Sequence, residues 1–227
     1  MKIEIITFIP ELFNCLKKGK IGRAIKNKSL NLKIYNIHDF SKDKRGSVDD
    51  KPYGGGPGMI LKIDIVDKII KKLKTKNSKI ILLCPRGKLF NQKRAKSLSK
   101  EKHLIFICGR YEGYDERIRQ LVDTEISIGD YVLTGGELAS MVILDSVVRL
   151  LPGVVDKKES LKNESFSEDL LEYPQYTRPE NYQPSSKTNK NMKVPKILLS
   201  GNHQEIKKWQ KEQALKITQK YRPDLLK

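Results

Sequence analysis

Short apolar, β-branched runs at residues 3–9, 32–37, 80–83 and 104–108 alternate with segments whose apolar positions recur every three or four residues. Ile65, Ile69, Ile70 and Leu73 share one face of a helix expected over residues 63–74. Strands alternating with helices in this way predict an α/β fold built on a largely parallel sheet. A longer apolar helix is expected after Gly135-Gly136, over residues 137–151, where Pro152-Gly153 stops it. The pattern therefore places a first domain at residues 1–155.

Beyond it the character of the chain changes. The stretch DKKESLKNESFSED at 156–169 offers only Leu161 and Phe166 for burial, so residues 156–170 read as a mobile linker. Prolines at 174, 179, 184 and 195 then favour extended chain, and helical spacing resumes through Ile206, Trp209, Leu215 and Ile217. Residues 171–227 are accordingly expected to form a small, basic, mostly helical domain. No internal repeat is visible.

Charge changes the picture more than composition does. Lys and Arg number 45 against 27 Asp and Glu, a formal net charge of +18, which favours a polyanion such as RNA or an acidic membrane surface. The lysine-heavy composition of an AT-rich genome is the competing explanation. Cys15, Cys84 and Cys108 form no Cys-x-x-Cys pair and point to neither zinc nor a disulfide framework, so a reducing cytoplasm is the simplest compartment. The apolar residues 3–9 are cut short by Pro10-Glu11, and no later run approaches a membrane span. No membrane association is expected.

Three apolar strands run into glycine-bearing turns: 80–83 into Cys84-Pro85-Arg86-Gly87, 104–108 into Gly109-Arg110-Tyr111-Glu112-Gly113, and 126–128 into Gly129-Asp130-Tyr131. Ligands of open α/β sheets bind beyond the carboxyl ends of the strands, where glycine lets the backbone approach closely. These turns either frame one pocket or are ordinary strand exits. The glycine loop at 53–58 lacks the Lys-Ser or Lys-Thr of a nucleotide-triphosphate loop, and its spacing does not fit G-x-G-x-x-G. The pair Asp49-Asp50 before it reads more simply as turn-forming carboxylates than as a metal site.

The phrases PYGGGPGM (52–59), CGRYEGYDER (108–117), IGDYVLTGGEL (128–138), LLEYPQYTRP (170–179) and LSGNHQEIKKW (199–209) together resemble the bacterial TrmD family of tRNA (guanine-N1)-methyltransferases in order and spacing. The resemblance covers nearly the full length. It implies a SPOUT-type α/β fold with a trefoil knot, a homodimer with two active sites, S-adenosyl-L-methionine as cofactor with any Mg²⁺ dependence left open, and tRNA as partner. General topology rules by themselves would argue against a knot. The reaction implied is methylation of guanine N1 at position 37, 3′ of the anticodon. The cofactor residues it implies are Pro85, Gly109, Glu112, Ile128, Gly129, Asp130, Tyr131, Val132, Leu133 and Gly135, which fall on the same three strand exits. Gly135-Gly136 would let the following helix pack tightly.

Guanine N1 carries a proton at neutral pH, so the reaction needs a general base at N1 and a cation where charge develops at O6. The resemblance assigns the base to Glu164, where aspartate is commoner, and the cation to Arg149. Read alone, Glu164 is a solvated linker charge and Arg149 a cation capping the carbonyls of a helix end. Lys17, Lys18, Lys20, Arg23 and the tail lysines are candidates for phosphates, and Arg110, Tyr111, Tyr176 and Arg178 for the base and its surroundings. Asn202 replaces a histidine usual in the family. Two alternatives stay open: another SPOUT-type methyltransferase acting on a different nucleotide, and an RNA-binding protein without catalysis.

Overall fold

The computed structural model describes residues 1–41, 46–110, 112–155, 164–184 and 192–226. The chain divides into two compact units, Met1–Asp156 and Lys157–Lys227.

The first unit is organised by a five-stranded sheet. Its strands are β1 (Lys2–Thr7), β2 (Asn31–Asn36), β5 (Ser78–Leu89), β6 (His103–Ile107) and β7 (Thr124–Ser127); the two short strands β3 (Asp49–Asp50) and β4 (Ile60–Leu61) pair separately as an antiparallel ribbon. The sheet order is β2-β1-β6-β5-β7, with every pairing parallel. A parallel sheet buried on both faces requires strands apolar on both sides, and β6 supplies this with all five residues buried.

Alternation along each strand then feeds two cores. Ile3, Ile5, Ile81, Leu83, Leu104 and Phe106 face one way, toward α1 (Gly19–Lys26), α3 (Gln92–Leu98) and α4 (Gly136–Val148). Ile6, Ile80, Leu82, Ile105 and Ile107 face the other, toward α2 (Ile63–Leu73) through Ile65, Val66, Ile69, Ile70 and Leu73. Each fully buried Ile or Leu stabilises the fold by about 1.5–3 kcal/mol against leaving it in water.

The periodicity located α2 and α4 to within a few residues, but α4 stops at Val148. The following turn is tightened by three-residue hydrogen bonds from Leu150 and Leu151 to Val147 and Val148. Strand β5 departs further from expectation. It does not end at Leu83 but resumes past Gly87, so that Leu83 and Lys88 both stand opposite Ile126 on β7. Residues 84–87 are thus an excursion within a strand, and Gly87 is essential to it: a Cβ there would lie 2.4 Å from the Ile126 backbone nitrogen.

In the second unit, α5 (Lys196–Leu199) and α6 (His203–Tyr221) accompany a small antiparallel ribbon of β8 (Asn181–Tyr182) and β9 (Met192–Lys193). Asn202 caps α6, its side-chain oxygen accepting from the Gln204 and Glu205 N–H groups. Among the described residues no helix is long and apolar enough to cross a membrane.

Candidate active site

The break in β5 after Leu83 and the carboxyl ends of β6 and β7 open on one cleft of about 230 Å³. Pro85, Gly109, Glu112, Ile128, Gly129, Tyr131, Val132, Leu133 and Gly135 all line it. Asp130 is exposed and does not line it, although both neighbours do. The three strand exits therefore frame one pocket and are not three separate turns.

Sequence reasoning missed part of the wall. Leu83, Cys84, Tyr114, Ser127 and Ala139 also contribute. The signal for Tyr114 was its place in a glycine-rich turn. Its hydroxyl donates to the Leu83 carbonyl at 3.0 Å and the Ile107 carbonyl at 3.3 Å, tying the ends of β5 and β6 together. Burial pushes its pKa well above the ordinary phenol value, which keeps the hydroxyl protonated as a donor.

The loop after β6 is held on both sides. Toward the ribbon, the Leu61 N–H donates to the Gly113 carbonyl and Glu112 N–H to the Met59 carbonyl. Toward α4, the Gly136 N–H donates to the Gly109 carbonyl at 2.9 Å, and Arg110 bridges to Gly135. Glycine is required where these walls meet, because a Cβ on Gly109 would sit 2.3 Å from the Tyr114 ring. Burial also pushes the Cys108 thiol up, so this cysteine is a packing residue and not a thiolate.

Behind the cleft lies a buried polar joint. Glu137, in the first turn of α4, accepts on Oε1 from the Thr7 hydroxyl at 2.9 Å and from Arg110 Nε at 3.1 Å. Leaving one oxygen of a buried carboxyl unbonded costs about 1–3 kcal/mol, yet Glu137 Oε2 has no partner among the described residues.

Neither of the two residues assigned to catalysis is among those that line this cleft. Arg149 is the C-cap of α4, about 20 Å along the helix from Gly136 at 1.5 Å per residue. Its backbone N–H takes the Asp145 carbonyl. Glu164 belongs to the second unit, where it lines a separate cleft with Leu171, Lys207 and Lys211. That segment is fastened to α6 by the Leu171 N–H, which donates to the buried Thr218 hydroxyl at 2.8 Å. Tyr111 and residues 156–163 of the expected linker lie outside the described residues; Tyr176 and Arg178 are exposed in the second unit.

The walls suit a ligand with an apolar, planar part and polar edges: Leu83, Ile128, Leu133 and Ala139 supply apolar surface, and glycine backbone supplies donors and acceptors.

A family model described as tRNA (Guanine-1)-methyltransferase TrmD matches residues 1–227. A tRNA (guanine-N(1)-)-methyltransferase of Clostridium tetani (strain Massachusetts / E88) is 51% identical over 227 residues, covering 100% of this chain and 92% of that protein. One of Dictyoglomus turgidum (strain DSM 6724 / Z-1310) is 52% identical over 227 residues, covering 100% and 90%. A third, from Clostridium botulinum (strain Alaska E43 / Type E3), is 51% identical over 228 residues, covering 100% and 93%.

Proposed function

The chain belongs to the TrmD family of tRNA (guanine-1)-methyltransferases, and from that premise we propose that it methylates guanine N1 at position 37 of tRNA, with Glu164 as general base and Arg149 at O6. The observation that carries the reading is the convergence of three glycine-bearing strand ends on one cleft.

S-adenosyl-L-methionine, when bound, supplies an electrophilic methyl group. Pro85, Ile128, Leu133 and the backbone at Gly109, Gly129 and Gly135 hold it, and the apolar walls exclude water from it. The Glu164 carboxylate takes the proton from guanine N1, and the Arg149 guanidinium neutralises charge at O6. Glutamate keeps the carboxylate of the commoner aspartate with one more methylene, which changes reach and not chemistry.

The same reading includes a homodimer. Leu138 and Val142 are exposed on α4, and at 100° per residue Arg149 falls on their face of the helix. A partner packed on that stripe covers the apolar side chains and receives Arg149, which a subunit's own cleft is too far to use. The SPOUT-type trefoil knot belongs to this proposal too, on the strength of family membership. A cytoplasmic location follows from the substrate, and a Mg²⁺ dependence is tested by titrating the ion against turnover.

The deciding assay uses one tRNA transcript and its variant with another base at position 37. Methyl incorporation into the first alone is expected. Equal incorporation into both would transfer the reading to a different nucleotide, and S-adenosyl-L-methionine failing to bind in calorimetry would favour a non-catalytic RNA-binding protein.

A further inference from the structure

We propose that Glu137 is a positioning residue, whose buried carboxyl group aims the terminal nitrogens of Arg110 into the cleft, where they bind an oxyanion of a substrate. The proposal rests on the reading of the cleft as a methyl-donor site and adds an anion position to it.

Glu137 is 1% exposed, although it stands in the first turn of a helix beside an open cleft. Taking a carboxylate out of water costs several kcal/mol unless its partners offset it. Its contacts draw together three elements: the end of β1 through Thr7, the loop after β6 through Arg110, and the start of α4. The Thr7 hydroxyl has no freedom left, since it also accepts the Ile9 N–H at 3.0 Å. The turn that carries Glu137 is braced as well, since the Ser140 hydroxyl donates to the Glu137 backbone carbonyl at 2.7 Å.

Gly135 belongs to the same device. A Cβ there would stand 2.3 Å from Glu137 Oε2 and 2.9 Å from Arg110 Cγ, so only glycine lets both side chains pass. Its place in the motif is thus explained by what lies behind the cleft as well as by what fills it.

Arg110 is the outward end. It lines the cleft with its side chain 23% exposed, and among the described residues the only hydrogen bond of that side chain is the one from Nε to Glu137. A guanidinium gripped at Nε has its plane fixed and its two terminal nitrogens free to form a fork, the geometry that matches carboxylate or phosphate. Two sources carry such a group: the carboxylate of the donor's amino-acid part and a phosphate of the RNA.

The test compares two ligands by calorimetry on the full-length protein. S-adenosylhomocysteine carries the carboxylate, and 5′-deoxy-5′-methylthioadenosine lacks it. In Glu137→Gln the first is expected to bind about 10-fold more weakly, the loss of a charge-assisted hydrogen bond, while the second is held within about twofold. Thr7→Val, of nearly the same shape, loosens the same joint and should give a smaller loss with the same selectivity. If the two ligands bind as in the unmodified protein but the KM for tRNA rises about 10-fold with a shallower salt dependence, the oxyanion is a phosphate and the positioning role stands. Equal weakening of both ligands with unchanged tRNA salt dependence would reduce Glu137 to a structural residue and overturn the proposal, as would unmodified behaviour of both variants in every arm. Neither ligand binding to the unmodified protein would instead sink the methyl-donor reading itself.

Discussion

A Cβ added at Gly136 would lie 2.9 Å from the Cys108 Cα, so the first turn of α4 rests directly on the end of β6. Helix propensity alone says that Gly136→Ala should stabilise α4 by about 1 kcal/mol. The contact says the reverse, because overpacking against backbone costs about 1–3 kcal/mol. Gly136→Ala is therefore expected to lower the midpoint of urea unfolding and to weaken donor binding together. A raised midpoint would show that the contact yields.

The buried pair at the opposite end of the sheet sets the acid limit of the fold. His103 bonds Glu4 at 2.7 Å and the Ser78 hydroxyl at 2.7 Å, and Glu4 also accepts from Tyr35 at 2.8 Å. Burial holds the His103 imidazole below its ordinary value of 6.5, with the Glu4 carboxylate opposing. Burial would raise Glu4, but hydrogen bonds from Lys2, Tyr35 and His103 outweigh it and bring it below 4.5. Both depressed values act in the same direction. Below about pH 6.5 the unfolded chain takes up the imidazole proton that the folded chain resists, and below about pH 4.5 the same holds for the carboxyl, so stability falls with acid. His103→Gln should lose less stability than the unmodified protein between about pH 7 and about pH 5, as denaturant titrations at each pH would show.

How far these features could be read in advance depended on where their cause lay. The strands of the main sheet carry local signals, apolar and β-branched, and all five were legible. The helices α1 and α3 were not, because Gly19–Lys26 and Gln92–Leu98 spend most positions on charged or small residues, and the few they bury, Ile21, Ala24, Ala95 and Leu98, belong to the core shared with α4. Strand β5 was cut at Leu83 because Pro85-Arg86-Gly87 is turn chemistry, while its resumption is set by β7, a partner far along the chain. Glycine marked the cleft, since close backbone approach leaves a local trace. Glu137 left almost none: the one hint was a carboxyl group heading an otherwise apolar helix. The roles proposed for Arg149 and Glu164 came from the family resemblance, each residue alone reading as an ordinary surface charge.

Thr218 is expected to control the segment that carries Glu164. Its buried hydroxyl accepts the Leu171 N–H at 2.8 Å and donates to the Ala214 carbonyl at 2.8 Å. Thr218→Val keeps the shape and strands that N–H, at a cost of about 1–3 kcal/mol. Amide exchange at Leu171 and Glu172 should accelerate while α2 and β6 remain protected. Unchanged exchange would mean that the segment is held by other contacts, such as Arg222 over the Phe166 ring.

Glu164→Gln removes the proposed base without changing size. Single-turnover methylation at saturating tRNA and donor should fall about 10²–10⁴-fold, with donor binding intact. Glu164→Asp, which restores the commoner residue, should stay within about 10-fold of the unmodified protein. Full activity in Glu164→Gln would move the base elsewhere.

The separation of Arg149 from its own cleft makes the strongest demand on the proposed dimer. Leu133→Arg, which fills the cleft, and Arg149→Gln, which removes the O6 cation, should each abolish turnover alone. In a mixed dimer one site combines the intact cleft of one subunit with the intact arginine of the other, and the second site carries both defects. Unfolding and refolding the two variants together at equal concentration pairs them at random, so half of the dimers are mixed and about a quarter of full turnover should return. If every site drew its arginine from the subunit that supplies its cleft, each site in a mixed dimer would carry one defect and the mixture would stay inactive at any ratio.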